Sequence, residues 1–259
     1  MMKQLLIFLL CMVPVFGMSQ QKKKLVWADE FKYNGLPNPK KWGYEEGRVR
    51  NNEAQYYTKE RKENARVEKG QLIITARKES YQNANYTSAS INTLGKFEFT
   101  GGRIEVRAKI PTGRGIWPAI WTLGANRSEV GWPVCGEIDI MEFVGHTPDH
   151  VHATVHTGDY NHGKGKQRGG KIKVENAFDD FHVYAVEWYH DRMDFYFDDI
   201  KYYTCERKNE GVMEWPFDAP QYLLINLAIG GAWGGQKGID DTVFPVEYRV
   251  DYVRIYKFK

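Results

Sequence analysis

The chain has 259 residues, 42% of them hydrophobic and 27% charged, enough apolar material for a sizeable core and too much for a disordered chain. Its net charge is only +3 and no basic stripe interleaves with aromatic residues, which argues against a nucleic-acid partner. Aromatic side chains reach 14%, with eight Trp and sixteen Tyr, a supply of flat rings with polar edges that suits a wet binding groove or a rigid sandwich.

Residues 1–19 read as a secretory signal: Lys3 supplies the positive start, 5–16 the apolar stretch, and Gly17 with Ser19 the small residues before a cut. Export is expected, with 20–259 as one domain. The apolar stretch is short for a bilayer and no other segment approaches the needed length, so no membrane span is expected, and a monomer is. Cys11 sits inside the apolar stretch rather than at its end, which argues against a lipid anchor. Of the remaining cysteines, Cys135 and Cys205, two separate buried thiols are expected, with a disulfide as the alternative in an exported chain.

Strand signals dominate the rest of the chain. Apolar runs or alternation occupy 72–76, 103–110, 151–156, 183–188, 194–197 and 250–256, and turn residues such as Asn34 with Gly35, Thr112 with Gly113 and Asp198 with Asp199 fall between them. No long segment has helical periodicity with good caps. Many short strands at near-regular spacing predict an all-β chain, a sandwich or barrel of antiparallel strands.

The most informative stretch is Gly136-Glu-Ile-Asp-Ile-Met-Glu-Phe143, where three acids share an apolar strand. Side chains alternate along a strand, so Glu137 and Asp139 share a face while Glu142, five positions on from Glu137, points to the other. A β-bulge near Ile140 or Met141 repairs the parity and returns Glu142 to the acidic face. Surface ion pairing is the bland alternative, but Ile138, Ile140 and Phe143 imply a buried opposite face. Two carboxylates beside a groove suit glycoside hydrolysis, one ionised to attack the anomeric carbon and one protonated to release the leaving oxygen; close spacing means retention of configuration. Asp139 is expected to hold a proton or hydrogen bond against Glu137, and Glu142 to have the raised pKa.

Here the sequence resembles glycoside hydrolase family 16, in its laminarinase-like branch. Besides Glu137-Ile-Asp-Ile-Met-Glu142, the likeness runs through Leu25-Val-Trp-Ala-Asp-Glu-Phe31, Asn51-Asn-Glu-Ala-Gln-Tyr-Tyr57, Gly101-Gly-Arg-Ile-Glu-Val-Arg-Ala-Lys109, Gly115-Ile-Trp-Pro-Ala-Ile-Trp121 and Val250-Asp-Tyr-Val-Arg-Ile-Tyr256. The resemblance implies a two-sheet jelly roll with a concave cleft, and a retaining endo-acting hydrolase of laminarin-type β-1,3- or mixed β-1,3/1,4-glucan. It makes Glu137 the nucleophile, Asp139 its assistant and Glu142 the acid/base, with no cofactor for catalysis. It also implies a structural calcium on the convex side at Glu30, Gly70 and Asp251.

Trp117 and Trp121 are four apart in an extended run, so both rings fall on one face, where sugars stack or a core packs. Trp132 and Trp233 sit in Gly- and Pro-rich stretches, where a core role is less natural. The family likeness puts all four in the cleft, and Asn52 and Arg103 as contacts to hydroxyls, with an ion pair in the sheet the alternative for Arg103. His152 and His156 are four apart on a strand, roughly 13 Å between backbones, too far to share one zinc. His156 is instead expected to meet the acids or a sugar hydroxyl. Ser90 departs from relatives that carry Arg there, which removes a fixed guanidinium and leaves linkage preference open. A non-catalytic glucan-binding module and a transglycosylase are the competing readings, and the three crowded acids argue against the first.

Overall fold

The structure, a computed structural model, describes residues 21–208 and 211–259; the leader expected over 1–19 lies outside the described residues. Two sheets face each other. One has seven strands in the order Arg168–Lys173, His150–His156, Glu137–Glu142, Ile116–Gly124, Gln221–Ile229, Ser90–Asn92 and Gly43–Tyr44. The other runs Ile200–Glu206, Arg192–Phe197, His182–Trp188, Gly102–Lys109, Val246–Phe258, Gln71–Tyr81, Ala84–Ser88 and Gln55–Tyr57. Lys23–Asp29 is added along Val246–Phe258, and Ala65–Glu68 along Gln71–Tyr81. Neither sheet closes on itself, so the sandwich is realised and the barrel is not. Helix among the described residues is confined to single turns such as Arg127–Val130 and Gly231–Gly234.

The core lies between the sheets. Ile104, Val106 and Ala108 from the ten-stranded sheet pack with Ile116, Ile120, Ile138 and Ile140 from the seven-stranded one, and Trp42, Trp188, Trp215, Tyr184 and Tyr248 complete the cluster. Every position of Ile116–Gly124 and Gln221–Ile229 is buried, on both faces. Such strands lose the alternation that marks a half-exposed one, so sequence alone does not flag Gln221–Ile229 as a strand. The hairpin at Asp198 and Asp199 forms where expected, with Phe197 opposite Ile200 and Asp198 at φ 51. Cys135 and Cys205 are separate buried thiols, which removes the disulfide alternative.

Candidate active site

The expected bulge is present. Against the His150–His156 strand, Asp139 pairs with Thr154 and Glu142 with His152, so that two residues, Ile140 and Met141, stand against one, Ala153. Against Ile116–Gly124 the slip falls between Asp139 and Met141. One extra residue turns Ile140 and Met141 both into the core and leaves Glu137, Asp139 and Glu142 on the outer face. That face forms the floor of a cleft with Trp117, Ala119, Trp121 and Leu123 on the neighbouring strand and Asn226 and Ala228 on the next.

Each acid has its own surroundings. Trp132 Nε1 donates to Glu137 Oε2 at 2.9 Å, while Trp117 Nε1 donates to Glu142 Oε1 at 3.2 Å and Thr154 Oγ1 to its Oε2 at 3.5 Å. Burial pushes the Glu137 carboxyl up to about 7, against the pull of the Trp132 hydrogen bond and the charges of Arg50 and Arg127. Burial and then the Glu137 charge push Glu142 up to about 8. Asp139, buried between them and facing both charges, is held well above the ordinary carboxylate range. All three acids are therefore raised, not Glu142 alone, and the Trp132 hydrogen bond with the charges of Arg50 and Arg127 favours the anion at Glu137.

His156 meets the acids as expected: its Nε2 lies 3.4 Å from Asp139 Oδ2 and 3.7 Å from Glu137 Oε1. Burial and the nearby His162 push the imidazole down to about 4, so at neutral pH this is a contact of a neutral ring with the acids rather than an ion pair. Glu137, Asp139 and His156 also form a group whose ligand atoms lie within 4.8 Å of one another, close enough to grip a metal ion. An ion there would occupy the carboxylate that must attack in glycoside hydrolysis.

The tryptophans divide between core and cleft. Trp42, Trp188 and Trp215 are core, whereas the four expected in the cleft are all on its side of the sheet. Trp132, 36% exposed, hangs over Glu137 with the His162 ring 4.9 Å away. Trp233 packs edge-on against Trp117, 5.6 Å between centroids, and against His152 at 5.0 Å, closing the Glu142 end. Trp121 lines the cleft, but its Nε1 donates to Asn226 Oδ1 at 2.7 Å and the Arg50 guanidinium lies over its ring. It is a wall more than an open stacking platform.

Two expected contacts are corrected. Arg103 is on the ten-stranded sheet, in ion pairs with Glu105 at 2.9 Å and Glu187 at 3.4 Å and over the Tyr196 ring, so its sheet role holds and its sugar role fails. Asn52 is exposed in a positive-φ turn, while its neighbours Arg50, Asn51 and Glu53 line the cleft. The turn aims those side chains inward and Asn52 out. At the calcium positions, Glu30 accepts two hydrogen bonds from Arg254, at 2.7 and 2.9 Å, and Asp251 accepts one from Arg107 at 2.7 Å. Gly70 stands in the turn before Gln71–Tyr81 at φ 76.

The cleft also holds residues that sequence patterning does not single out. Glu53 is buried and accepts from Gln55 Nε2 at 2.6 Å and Tyr57 Oη at 3.0 Å; Tyr57 Oη accepts in turn from Asn226 Nδ2 at 2.9 Å. For Asn226 a signal exists, a lone Asn in the apolar run 221–229. At Ser90, Oγ donates to Glu45 Oε2 at 2.6 Å, and Glu45 in turn holds the guanidinium of Arg50.

Comparison with known proteins agrees with this geometry. Residues 52–254 match the model of glycosyl hydrolases family 16. The beta-glucanase of Rhodothermus marinus is 53% identical over 245 residues, 91% of this chain and 85% of that one. The X-ray structure of the laminarinase from Rhodothermus marinus superposes with a TM-score of 0.90 at 50% identity, covering 92% of this chain and 99% of the other. A mutant of a non-specific endo-β-1,3(4)-glucanase of family 16, co-crystallised with 1,3-β-D-cellotriosyl-glucose and presenting a 1,3-β-D-cellobiosyl-glucose at its active site, gives a TM-score of 0.88 at 44% identity over 91% and 95% of the two chains.

Proposed function

This chain belongs to glycosyl hydrolase family 16, and from that premise we propose that it is a retaining endo-β-1,3(4)-glucanase with Glu137 as nucleophile and Glu142 as acid/base. The observation that carries the proposal is the bulged strand, which lays three acids of unequal proton affinity on the floor of one aromatic-walled cleft. Glu137, ionised first and steadied by the Trp132 N–H, attacks the anomeric carbon while Glu142 passes its proton to the departing glycosidic oxygen. A glycosyl ester on Glu137 results. Glu142, now a carboxylate, takes a proton from water, the water attacks the anomeric carbon from the opposite face, and the Glu137 carboxylate leaves. Two inversions give net retention. Asp139, held well above the ordinary carboxylate range by burial and the two glutamate charges, and neutral His156 limit the charge set against Glu137 during both steps.

The names of the relatives support β-1,3- and mixed-linkage glucan as substrate. Laminarin, lichenan and agarose digested side by side decide it: early laminarin products of several lengths with β configuration at the new reducing end are expected. Glucose alone in the first minutes overturns the endo reading, an α product overturns retention, and preference for agarose overturns the substrate. Export rests on the reading of residues 1–19. Among the described residues no helix is long and apolar enough to cross a membrane.

The proposal extends to a structural calcium at Glu30, Gly70 and Asp251, where an ion taking six to eight oxygens would have to draw both carboxylates from their guanidiniums and add the Gly70 carbonyl and other backbone oxygens. A chelator that lowers the melting temperature of the wild type but not of Asp251→Ala supports the ion. Melting unchanged by the chelator leaves Arg107 and Arg254 as the balancing charges and removes the ion from the proposal.

A further inference from the structure

The segment between Gly43–Tyr44 and Gln55–Tyr57 sends Arg50 into the cleft wall, with its guanidinium 4.8 Å from the centre of the Trp121 ring and 6.0 Å from that of Tyr57. Trp121 is 6% exposed and its Nε1 is committed to Asn226, so a sugar laid at this end of the cleft meets the guanidinium before the indole. Arg50 is held from behind. Its Nη2 donates to Glu45 Oε1, and Ser90 Oγ fixes the other oxygen of Glu45. Ser90 stands opposite Asn226 in the sheet, and Asn226 is tied to Tyr57 and through it to Glu53, so the holder is part of the rigid floor.

This arrangement has two consequences. Glu45 offsets much of the charge of Arg50, although part of it still reaches Glu137, so the pair offers oriented N–H donors that suit neutral hydroxyls better than sulfate or carboxylate groups. Arg50 Nη1 is buried without an acceptor, an expensive state for a charged donor, and a turn of the guanidinium toward an oxygen brought into the cleft that Arg50 lines would relieve it.

We propose that Arg50 is a specificity-determining residue that reads a hydroxyl of a neutral glucosyl unit bound beside Trp121, and that Glu45 and Ser90 are its positioning residues. This rests on the glucanase reading of the cleft. The test is steady-state kinetics of the full chain on laminarin, with melting curves alongside. Arg50→Met keeps the packed stem and removes the donors; KM should rise about tenfold or more, by a larger factor than kcat falls as Glu137 loses the Arg50 charge. Arg50→Lys should not restore KM, because an ammonium lacks the planar fork. Ser90→Ala, which loosens Glu45 without touching the cleft, should raise KM by a smaller factor while the chain still melts cooperatively, a few degrees lower. Glu45→Gln should shift preference toward carboxymethylated glucan over laminarin by freeing the positive charge. Laminarin KM within twofold of wild type in Arg50→Met overturns the proposal; should that variant fail to fold, unchanged KM in both Arg50→Lys and Ser90→Ala does so. A wild type inactive on every β-glucan sinks the glucanase reading itself, which no result on the variants of an active enzyme would do.

Discussion

A carboxyl that attacks and a carboxyl that donates must differ in charge at one pH, and the two glutamates achieve this by their neighbours. Trp132, Arg50 and Arg127 favour the anion of Glu137, and that anion in turn disfavours a second one at Glu142. The arrangement has a thermodynamic cost with a definite sign. Both folded pKa values, about 7 and about 8, lie above the ordinary 4.5, so the folded state binds more protons than the unfolded one. The contribution of these acids to stability is fully present below the unfolded value and is lost as pH rises through 7 and 8. Glu137→Gln and Glu142→Gln should therefore melt above the wild type at pH 9, by several degrees for a gain of roughly 1–3 kcal/mol each, and the advantage should vanish near pH 4. Thermal melts across pH check this. A gain of equal size at both ends of the pH range would trace the effect to packing instead of ionisation.

At the scale of elements, the decisive device is the bulge, and it is legible in the sequence. Parity alone requires an extra residue between Asp139 and Glu142, and the slip is where parity puts it. The same logic predicts two unequal lesions. Inserting one Ala after Met141 lets regular alternation keep the glutamate on the acid face but moves it two residues along the partner strand, about 7 Å from its place opposite His152, which should cut laminarin turnover as deeply as Glu142→Ala. Deleting Met141 removes the bulge but restores regular alternation, so Glu142 stays on the acid face; turnover should drop yet exceed that of the insertion. Equal loss in kcat from both would show that the pairing position of the glutamate is not what matters. Gln221–Ile229 is illegible for the opposite reason: buried on both faces, it carries no alternation to read. Arg50 and Glu45 are illegible because their partners, Trp121 and Ser90, are 71 and 45 residues further along the chain, distances that only sheet pairing closes.

For the whole molecule, the two sheets share one core but divide the work. The seven-stranded sheet carries the acids and the cleft floor, with its polar groups aimed at a ligand. The ten-stranded sheet spends its charges on itself: Glu187 accepts from Lys23 at 2.7 Å, from Tyr189 at 2.7 Å, from Tyr196 at 3.1 Å and from Arg103 at 3.4 Å. Burial alone would raise the Glu187 carboxyl, but Lys23, Tyr189 and Arg103 together draw it below its ordinary value, so the cluster favours the ionised form. Arg103 therefore belongs to stability and not to sugar binding, although its motif lies within the family likeness. Arg103→Met should leave Glu187 with three of its donors and keep the stem packed over Tyr196, at a cost on the order of 1–2 kcal/mol and a melting temperature lower by a few degrees. Laminarin kcat and KM should stay within twofold of wild type, because the core and not a polar chain connects this face to the cleft. Melting curves and kinetics on one preparation separate the alternatives: a KM raised tenfold at unchanged melting temperature would return Arg103 to the substrate and undo the division of labour between the sheets.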